Sequence, residues 1–432
     1  MIYSKEIHQK YEVDVFVAGG GPSGIAAAVA CARQGKKVFL AEGQGAFGGT
    51  GTSGLVPCFM QFTDGINFLA GGIGKEIHDA TSEVRDNRKY TLAIKVEKLK
   101  LIYDEMAVKA GIQFSFFTNL IDVVKSTDGH VEQVVLSAKS GIFSVKAKMY
   151  IDCSGDGDLC TWADNEFEKG DAEGMTMPST LCTLWSNIDF SKRKKADDYN
   201  IEQAIADGIF TNEDRHLPGM FPVNVQKGIG GGNIGHCFAI DATDETSLTK
   251  GMLWGRKSML EYERYYKEYL SGYENMELVV SAGLLGVRES RRITGDYILN
   301  ISDFKSRATF ADEIGRYAYP VDIHIMKPDK ESFQAFDSEF NSLRYQEGES
   351  YGIPYRSLLP KNLSNVLVAG RCMSTDRQMQ ASIRVMPGCY ITGQAAGVAA
   401  ALACDSGETR KVDVAVLQGK LKEIGGYLPN YK

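Results

Sequence analysis

The sequence predicts an α/β protein: a parallel sheet with helices packed against it, into which an α+β unit is inserted. Three observations carry this. An apolar run, Val13 to Ala18, passes through the glycine turn AGGGPSG into an Ala-rich stretch, which reads as strand, turn and helix. A second strand pattern, Lys37 to Ala41, follows closely, as a parallel βαβ unit requires. Near the other end, NVLVAGRCMST at Asn365 to Thr375 echoes the strand-to-glycine pattern ahead of another long apolar segment.

In the first unit Pro22 suits the opening position of the helix and Gly35 its stop. Two helical stretches are expected between Gly72 and Gly111, the second through VEKLKLIYDEMAVKAG. Short β-rich runs follow at Gln113 to Phe117, Asn119 to Lys125, Val131 to Ala138 and Ile142 to Ala147, with turn signals at Asp128-Gly129 and Ser140-Gly141. They read as an antiparallel meander returning to a separate parallel-type strand, Lys148 to Cys153, which ends in the polar loop SGDGD.

From about Met175 to Pro354 the chain is richer in Tyr, Lys and Glu, and its loops do not fit a doubly wound sheet. The expected division is a discontinuous nucleotide-binding domain, residues 1-174 and 355-432, and an inserted substrate or cap domain, residues 175-354, with a helix around Leu253 to Ser271. The chain returns through a strand, Val366 to Ala369, and a final helix from about Cys389 to Leu402.

Composition narrows the partners. With 48 basic against 55 acidic residues the net charge is −7, which argues against nucleic acid or an anionic membrane and favours small-molecule chemistry. Nine cysteines without a C-x-x-C pair or zinc-like spacing fit a reduced, cytoplasmic compartment and no metal site. The polar start MIYSKEIHQKYE is unlike a secretory signal. Two long uncharged runs, Val15 to Ala32 and Val385 to Cys404, are broken by Gly and Pro and read as buried strand-turn-helix segments, with no membrane span.

Glycines at 19, 21 and 24 let the backbone turn tightly, approach a pyrophosphate and pack helix against strand, while the helix N-terminus offers unpaired N–H groups to phosphate oxygens. Glu42, 18 residues beyond Gly24, is placed to bind a ribose hydroxyl. The same glycine spacing recurs at Gly49, Gly51, Gly54 and at Gly230, Gly232, Gly235, so context must separate the three. The Gly230 match lies between two strand-like runs and is expected to be a hairpin turn, which gives no support for a separate nicotinamide-binding domain. The Gly49 match, close to Glu42, reads as a loop folding over the cofactor.

Four stretches together carry a family resemblance: VDVFVAGGGPSGIAAAVACARQG with FLAEG, FGGTGTSG, YIDCSGDGDL, and YGIPYRSLLPKNLSNVLVAGRCMSTDRQMQASIRVMPGCYITGQAAGVAAALA. The chain resembles two-motif FAD enzymes with a glutathione-reductase-type, Rossmann-like FAD domain, and most closely the FAD-dependent oxidoreductases related to fumarate reductase and aspartate oxidase flavoproteins. The resemblance implies noncovalent FAD. Its ADP half would lie on Gly19, Gly21, Pro22, Ser23 and Gly24, with Glu42 and the adjoining Gly43 at the ribose. The isoalloxazine would face the segment from Gly370 and Arg371 to the helix starting near Gly388, with Gly49 and Thr50 approaching from the other side. The loop at Ser154, Gly155 and Asp156 would close over the ADP.

Hydride transfer needs a proton donor or acceptor and a group that orients the substrate, often an Arg holding a carboxylate. Family-like stretches around GVRESRRITGDYIL, YPVDIH and IPYRSL offer Arg288, Arg291, His324 and Arg356, and Arg384 precedes the last helix. Each has a plain alternative: His324 as a hydrogen-bonded structural residue, Arg288 to Arg292 as an ion-paired brace between domains, and Tyr355 as packing. The runs EYERYYKEYL and SKRKKADD read as solvated or half-buried helix faces.

Two departures narrow the activity. Disulfide reductases place a redox cysteine directly after Gly-Gly-Thr, whereas Gly48-Gly49-Thr50 is followed by Gly51 and the nearest thiol is Cys58. Fumarate reductases carry an Arg-Leu-Gly-Gly-Asn-Ser-Leu type stretch where this chain has QASIRVMPGCYITGQ, so the dicarboxylate substrate does not carry over. The expectation is an FAD-dependent oxidoreductase moving a hydride between a small organic substrate and flavin N5. The substrate and the electron donor or acceptor stay open. An NAD(P)H-dependent flavin monooxygenase and a non-catalytic FAD- or ADP-binding sensor are the alternatives.

Overall fold

The structure, a computed structural model, describes residues 4, 6–82, 92–193, 200–215 and 219–431. The chain opens with β1 (His8–Ala18), α1 (Pro22–Arg33), β2 (Val38–Ala41), α2 (Ile73–Thr81) and α3 (Val96–Lys109). The strands β3 (Gln113–Ser115), β4 (Asn119–Lys125), β5 (Val131–Ala138) and β6 (Gly141–Asp152) follow. They form one sheet in the order β3-β2-β1-β6-β5-β4, and the returning strand Val366–Val368 adds to β6. The expected fold class, a parallel Rossmann-like sheet with a meander, is what the chain adopts. Strand β1 begins upstream of its apolar run because His8 to Glu12 pair with Phe143 to Lys146 of β6.

Two elements differ from expectation. Gln113 to Ser115 is not part of the meander but pairs in parallel with β2, since α3 supplies the crossover a parallel pair needs. The runs Ile142 to Ala147 and Lys148 to Cys153 are one strand, β6. One edge of β6 stays parallel to β1 throughout. The other edge exchanges antiparallel β5 for the parallel strand Val366–Val368, so a change of partner needs no break in the chain.

Beyond β6 the strands β7 (Thr183–Ser186), β8 (Met220–Asn224), β9 (Ile229–Gly232) and β10 (Glu277–Ser281) form an antiparallel sheet in the order β8-β9-β7-β10. The long helix α4 (Glu245–Tyr269) starts well before Leu253, and Asp244 caps it by accepting the Ser247 N–H. Tyr262, Tyr265 and Tyr266 of EYERYYKEYL are buried with Trp185, Met220 and Tyr273 in a second core, so this run is a packing face as well as a solvated one. Of SKRKKADD, residues 194–198 lie outside the described residues.

Glycines 230 to 232 occupy β9 itself, between β8 and β7, and the hairpin turn lies before them, where Gly228 N–H bonds Val225 O. A side chain at Gly231 would meet the Pro57 ring 2.2 Å from its Cβ, so close packing rather than turning accounts for this glycine. The expected insertion at 175-354 divides in its packing. Residues from Leu181 to Leu285 make the second core and a satellite cluster. Ile293, Leu299, Ile314, Tyr317 and Ile353 join the main core around β1 and α1.

The helix α5 (Met386–Ala403) runs through that main core and is buried on nearly every face. A Cβ at Gly393 would lie 2.2 Å from Ser23 O, and one at Gly397 2.1 Å from Ala27 O, so two glycines one turn apart let α5 lie directly on α1. It is not the last helix: α6 (Val414–Glu423) follows, capped by Asp413. Among the described residues no single helix is long and apolar enough to cross a membrane.

Candidate active site

One cavity of about 560 Å³ runs from the glycine turn to the start of α5, a size suited to a cofactor or small ligand. At one end, Gly19 (φ 89°) donates its N–H to Ala41 O, and Gly21 forms the N-cap of α1 with Pro22 following. No side chain caps this helix, which leaves first-turn N–H groups for a ligand. Glu42 binds the turn through one oxygen and its own loop through the other: Gly20 N–H donates to Oε2 and Gln44 N–H to Oε1, each at 2.7 Å. Burial pushes the Glu42 carboxyl up, against the pull of these N–H donors.

The Gly49–Gly51 segment is a single 3₁₀ turn fixed to the same glycines, because Gly48 N–H donates to Gly20 O at 2.8 Å. A Cβ on Gly21 would meet nothing within 4 Å, and one on Gly49 would meet Gly21 Cα at 3.5 Å. The two glycines thus face each other across an open cradle lined also by Pro22, Ser23, Gly43 and Thr50. Gly24 lies outside it, where a Cβ would sit 1.8 Å from Gly19 O. Ser154, Gly155 and Asp156 line the wall, held by Arg371, which donates to Gly155 O at 2.8 Å and pairs with Asp156 at 2.6 Å.

At the other end the N-terminus of α5 has no side-chain cap, and Val385, Met386 and Cys389 line the cavity. The residues present fit a dinucleotide that carries an electron-rich ring at its far end: two uncapped helix N-termini, a carboxylate and a glycine cradle open onto one space. Gly370 and Gly388 stand just behind it; their Cβ positions would strike Ser23 Oγ at 2.5 Å and Ile383 O at 2.3 Å.

Beside α5 the cavity is lined by Arg288, Tyr319, Asp322, His324 and Arg384. Arg288 is buried and donates only to neutral oxygens: Pro178 O and Thr180 Oγ1 at 2.8 Å, and Asn233 Oδ1 at 3.2 Å. Burial, and then the nearby Arg384, push its guanidinium down to about 10. It stays charged near neutrality, feeling Asp322 and Asp214 through space but hydrogen-bonded to no carboxylate among the described residues. Arg384 pairs with Asp322 Oδ2 at 3.3 Å, and its Nε is buried with no hydrogen-bond partner among the described residues. Tyr319 donates to the same Asp322 oxygen at 3.2 Å. His324 Nε2 lies 3.4 Å from Asp322 Oδ2, and His324 Nδ1 lies 2.9 Å from His236 Nε2.

Of the five candidate side chains, Arg288, His324 and Arg384 converge on this cavity. Arg291 and Arg356 do not line it. Arg291 pairs with Asp158 at 2.8 Å and lies over the Phe167 ring, bracing the SGDGD loop. Arg356, half exposed, pairs with Asp312 at 3.0 Å, because the 3₁₀ turn at Tyr355–Leu358 points it away from α5. Tyr355 is buried and donates to Thr409 O at 2.8 Å, a packing role. Asp322, Tyr319, Asn233 and His236 were not singled out from sequence. Only the stretch YPVDIH pointed towards two of them.

Cys58 and Cys182 also line the cavity, and burial pushes each thiol up to about 12. Protonated thiols of this kind suit lining rather than dithiol exchange. Among the described residues no group of three His, Cys, Asp or Glu side chains is placed to hold a metal.

The sequence model of FAD dependent oxidoreductases matches residues 14–421, nearly the whole chain. The chain belongs to the FAD-dependent oxidoreductase family. Its cofactor is FAD and it is an oxidoreductase. No curated protein matches the sequence. Solved structures that resemble this family member include a geranylgeranyl bacteriochlorophyll reductase-like protein from Thermoplasma acidophilum, 14% identical, with 96% of this chain and 83% of that chain covered and a TM-score of 0.48. A p-nitrophenol 4-monooxygenase from Pseudomonas putida is 12% identical over 96% and 84% of the two chains, TM-score 0.42. The anhydrotetracycline hydroxylase OxyS from Streptomyces rimosus is 13% identical over 96% and 69%, TM-score 0.43. At these TM-scores their activities are not carried over to this FAD-dependent oxidoreductase.

Proposed function

We propose that this enzyme moves a hydride between flavin N5 and a small organic substrate bearing an anionic group, bound beside α5 between the main core and the second core. The observation that carries the reading is continuity: one cavity joins the glycine cradle to Arg288, Arg384 and His324. FAD, when bound, supplies a two-electron hydride acceptor or donor. The chain supplies the rest.

The N-terminus of α1, Glu42 and the Gly49 turn hold the nucleotide half, and the α5 N-terminus stabilises negative charge at the ring end. Arg288, fixed by three neutral acceptors and hydrogen-bonded to no carboxylate among the described residues, orients an anionic substrate. Asp322 holds Arg384 and His324 in place, so that His324 exchanges the substrate proton that accompanies hydride transfer. Leu248, Met252 and Leu285 cover the pocket and keep water from the reacting atoms. We further infer that the FAD domain is of the glutathione-reductase type, on the support of the meander β4-β5-β6 grown on a parallel sheet.

The test is anaerobic mixing of the FAD-loaded enzyme with a panel of small hydroxy-, amino- and unsaturated carboxylates, in both redox directions. The reading expects one class to change the flavin redox state by itself, with Arg288→Gln raising its KM at least about tenfold. Reduction only by NAD(P)H with oxygen uptake supports the monooxygenase instead, and a flavin that no donor reduces supports the sensor.

A further inference from the structure

Behind the substrate end of the cavity four titratable side chains lie end to end. Asp214 Oδ2 is 2.9 Å from His236 Nδ1, His236 Nε2 is 2.9 Å from His324 Nδ1, and His324 Nε2 is 3.4 Å from Asp322 Oδ2. Asp214, His236 and His324 are buried. His324 and Asp322 line the main cavity, whereas Asp214 and His236 line a second one with Asn212, Glu261 and Tyr262. This second cavity holds about 10 Å³, the size of one water. Glu261, on its wall, is half-buried and reaches the surface of α4.

Proton counting gives this row its chemistry. A neutral imidazole carries one N–H, so two neutral rings supply two protons to three links. The third link closes only when a further proton is present. That proton can sit at the cavity end or at the Asp214 end: the central His236–His324 link is a formed hydrogen bond, and the two outer links are close N···O contacts, at 2.9 Å and 3.4 Å, that align as the proton shifts.

The surrounding groups set the bias. Asp322 also accepts from Tyr319 and pairs with Arg384, and Asp214 accepts from the His236 backbone N–H at 3.0 Å and from the Tyr262 hydroxyl. The Arg288 cation acts on both carboxylates, and the Phe238 and Phe336 rings lie beside the two imidazoles. Trp254 Nε1 donates to His236 O at 3.0 Å and fixes the backbone there.

We propose that Asp214, His236, His324 and Asp322 form a proton relay between the substrate cavity and the second cavity, with His236 and Asp214 as positioning and conducting residues behind His324. The relay rests on the reading that hydride transfer takes place in the main cavity. When substrate is oxidised, its hydride passes with an electron pair to the oxidised flavin and its heteroatom gives a proton to His324 Nε2. His324 passes the Nδ1 proton to His236 Nε2, and His236 passes its Nδ1 proton to Asp214, which releases it at the second cavity. Substrate reduction runs every transfer in reverse. No electrons move along the row.

Two measurements on the FAD-loaded protein test this. In ¹⁵N-histidine NMR across a pH titration, the ring nitrogens of His236 and His324 are expected to shift together in shared steps. Asp214→Asn, at the far end, is expected to move the His324 step down by about one pH unit, a tenfold loss of proton affinity. In the second measurement, oxidised FAD-loaded protein is mixed anaerobically with the panel carboxylate that reduces its flavin, in the presence of a pH-indicator dye. In wild type the substrate proton appears in bulk solvent in step with flavin reduction, and in His236→Gln it lags about tenfold or more. His236→Asn replaces that variant if flavin absorbance shows poor loading.

Rings that titrate independently, a His324 step unmoved by Asp214→Asn, or a proton that keeps pace in the His236 variants overturns the relay. Failure of the functional reading shows separately, as a flavin that no substrate panel reduces whatever the NMR result.

Discussion

Glu42 Oε2 accepts the Gly20 N–H at 2.7 Å, so the carboxylate that follows the second strand is fastened to the turn that precedes the first helix. Ligand and fold therefore share one buried group. Glu42→Gln leaves one of the two backbone donors facing an NH₂ group, and FAD affinity is expected to fall about tenfold, roughly 1.4 kcal/mol. Glu42→Ala costs more, since both donors lose their partner. Fluorescence titration of apoprotein with FAD reads both, and unchanged affinity in the alanine variant places the nucleotide elsewhere.

Gly21 and Gly24 belong to one motif but meet different surroundings. A Cβ at Gly21 enters open space, whereas one at Gly24 sits 1.8 Å from Gly19 O. Gly21→Ala is expected to melt within a few degrees of wild type without FAD yet bind FAD at least about tenfold more weakly, because the methyl group occupies the cradle. Gly24→Ala is expected to destabilise the apoprotein itself by about 2 kcal/mol or more, as backbone strain demands. Equal effects in thermal melts and FAD titrations contradict the distinction.

What the sequence made legible follows from chain locality. Gly19 to Gly24, Glu42 and the start of α5 each sit in a short window of strand, turn and helix whose geometry is set by neighbours in sequence. Arg384 was legible for the same reason, standing just before α5. The His236–His324 contact joins residues 88 apart from two different units, and nothing near His236 announces it. Arg356 stood with Arg288 as a cation of the type that orients a carboxylate. The turn at Tyr355–Leu358, a local detail of direction, sends it to Asp312 instead. Gly230, Gly232 and Gly235 carried the fingerprint spacing for an unrelated reason, the close packing of Ile188, Thr183 and Tyr262 against them.

Asp158 gives the protein a dependence on pH. Burial first, then Asp156 and Asp152, raise its carboxyl from 3.8 to about 6, with Arg291 opposing. The folded state holds this proton more tightly than the unfolded chain, so the contribution to stability is full below about pH 4 and is lost as pH rises through about 6. Asp158→Asn removes the titration. Its stability relative to wild type is expected to improve by about 1 kcal/mol between pH 4 and pH 7, after allowance for partial solvent exposure. Denaturant melts across that range check this, and a difference that stays flat with pH contradicts it.

Arg356 serves as the negative control among the candidate cations, since it lies outside the cavity. Its ion pair with Asp312 is half exposed, and Arg356→Ala is expected to cost less than about 1 kcal/mol of stability. FAD affinity and the rate of flavin reduction should match wild type. A loss of reduction rate beyond about tenfold in stopped-flow traces places this residue in the site after all.

The most direct test is a crystal structure of the FAD-loaded enzyme. The account predicts pyrophosphate at the N-terminus of α1, adenosine ribose at Glu42, and the isoalloxazine between the N-terminus of α5 and the cluster of Arg288, Arg384 and His324. An isoalloxazine that turns away from that cluster, or a dinucleotide bound outside the Gly21–Gly49 cradle, contradicts it.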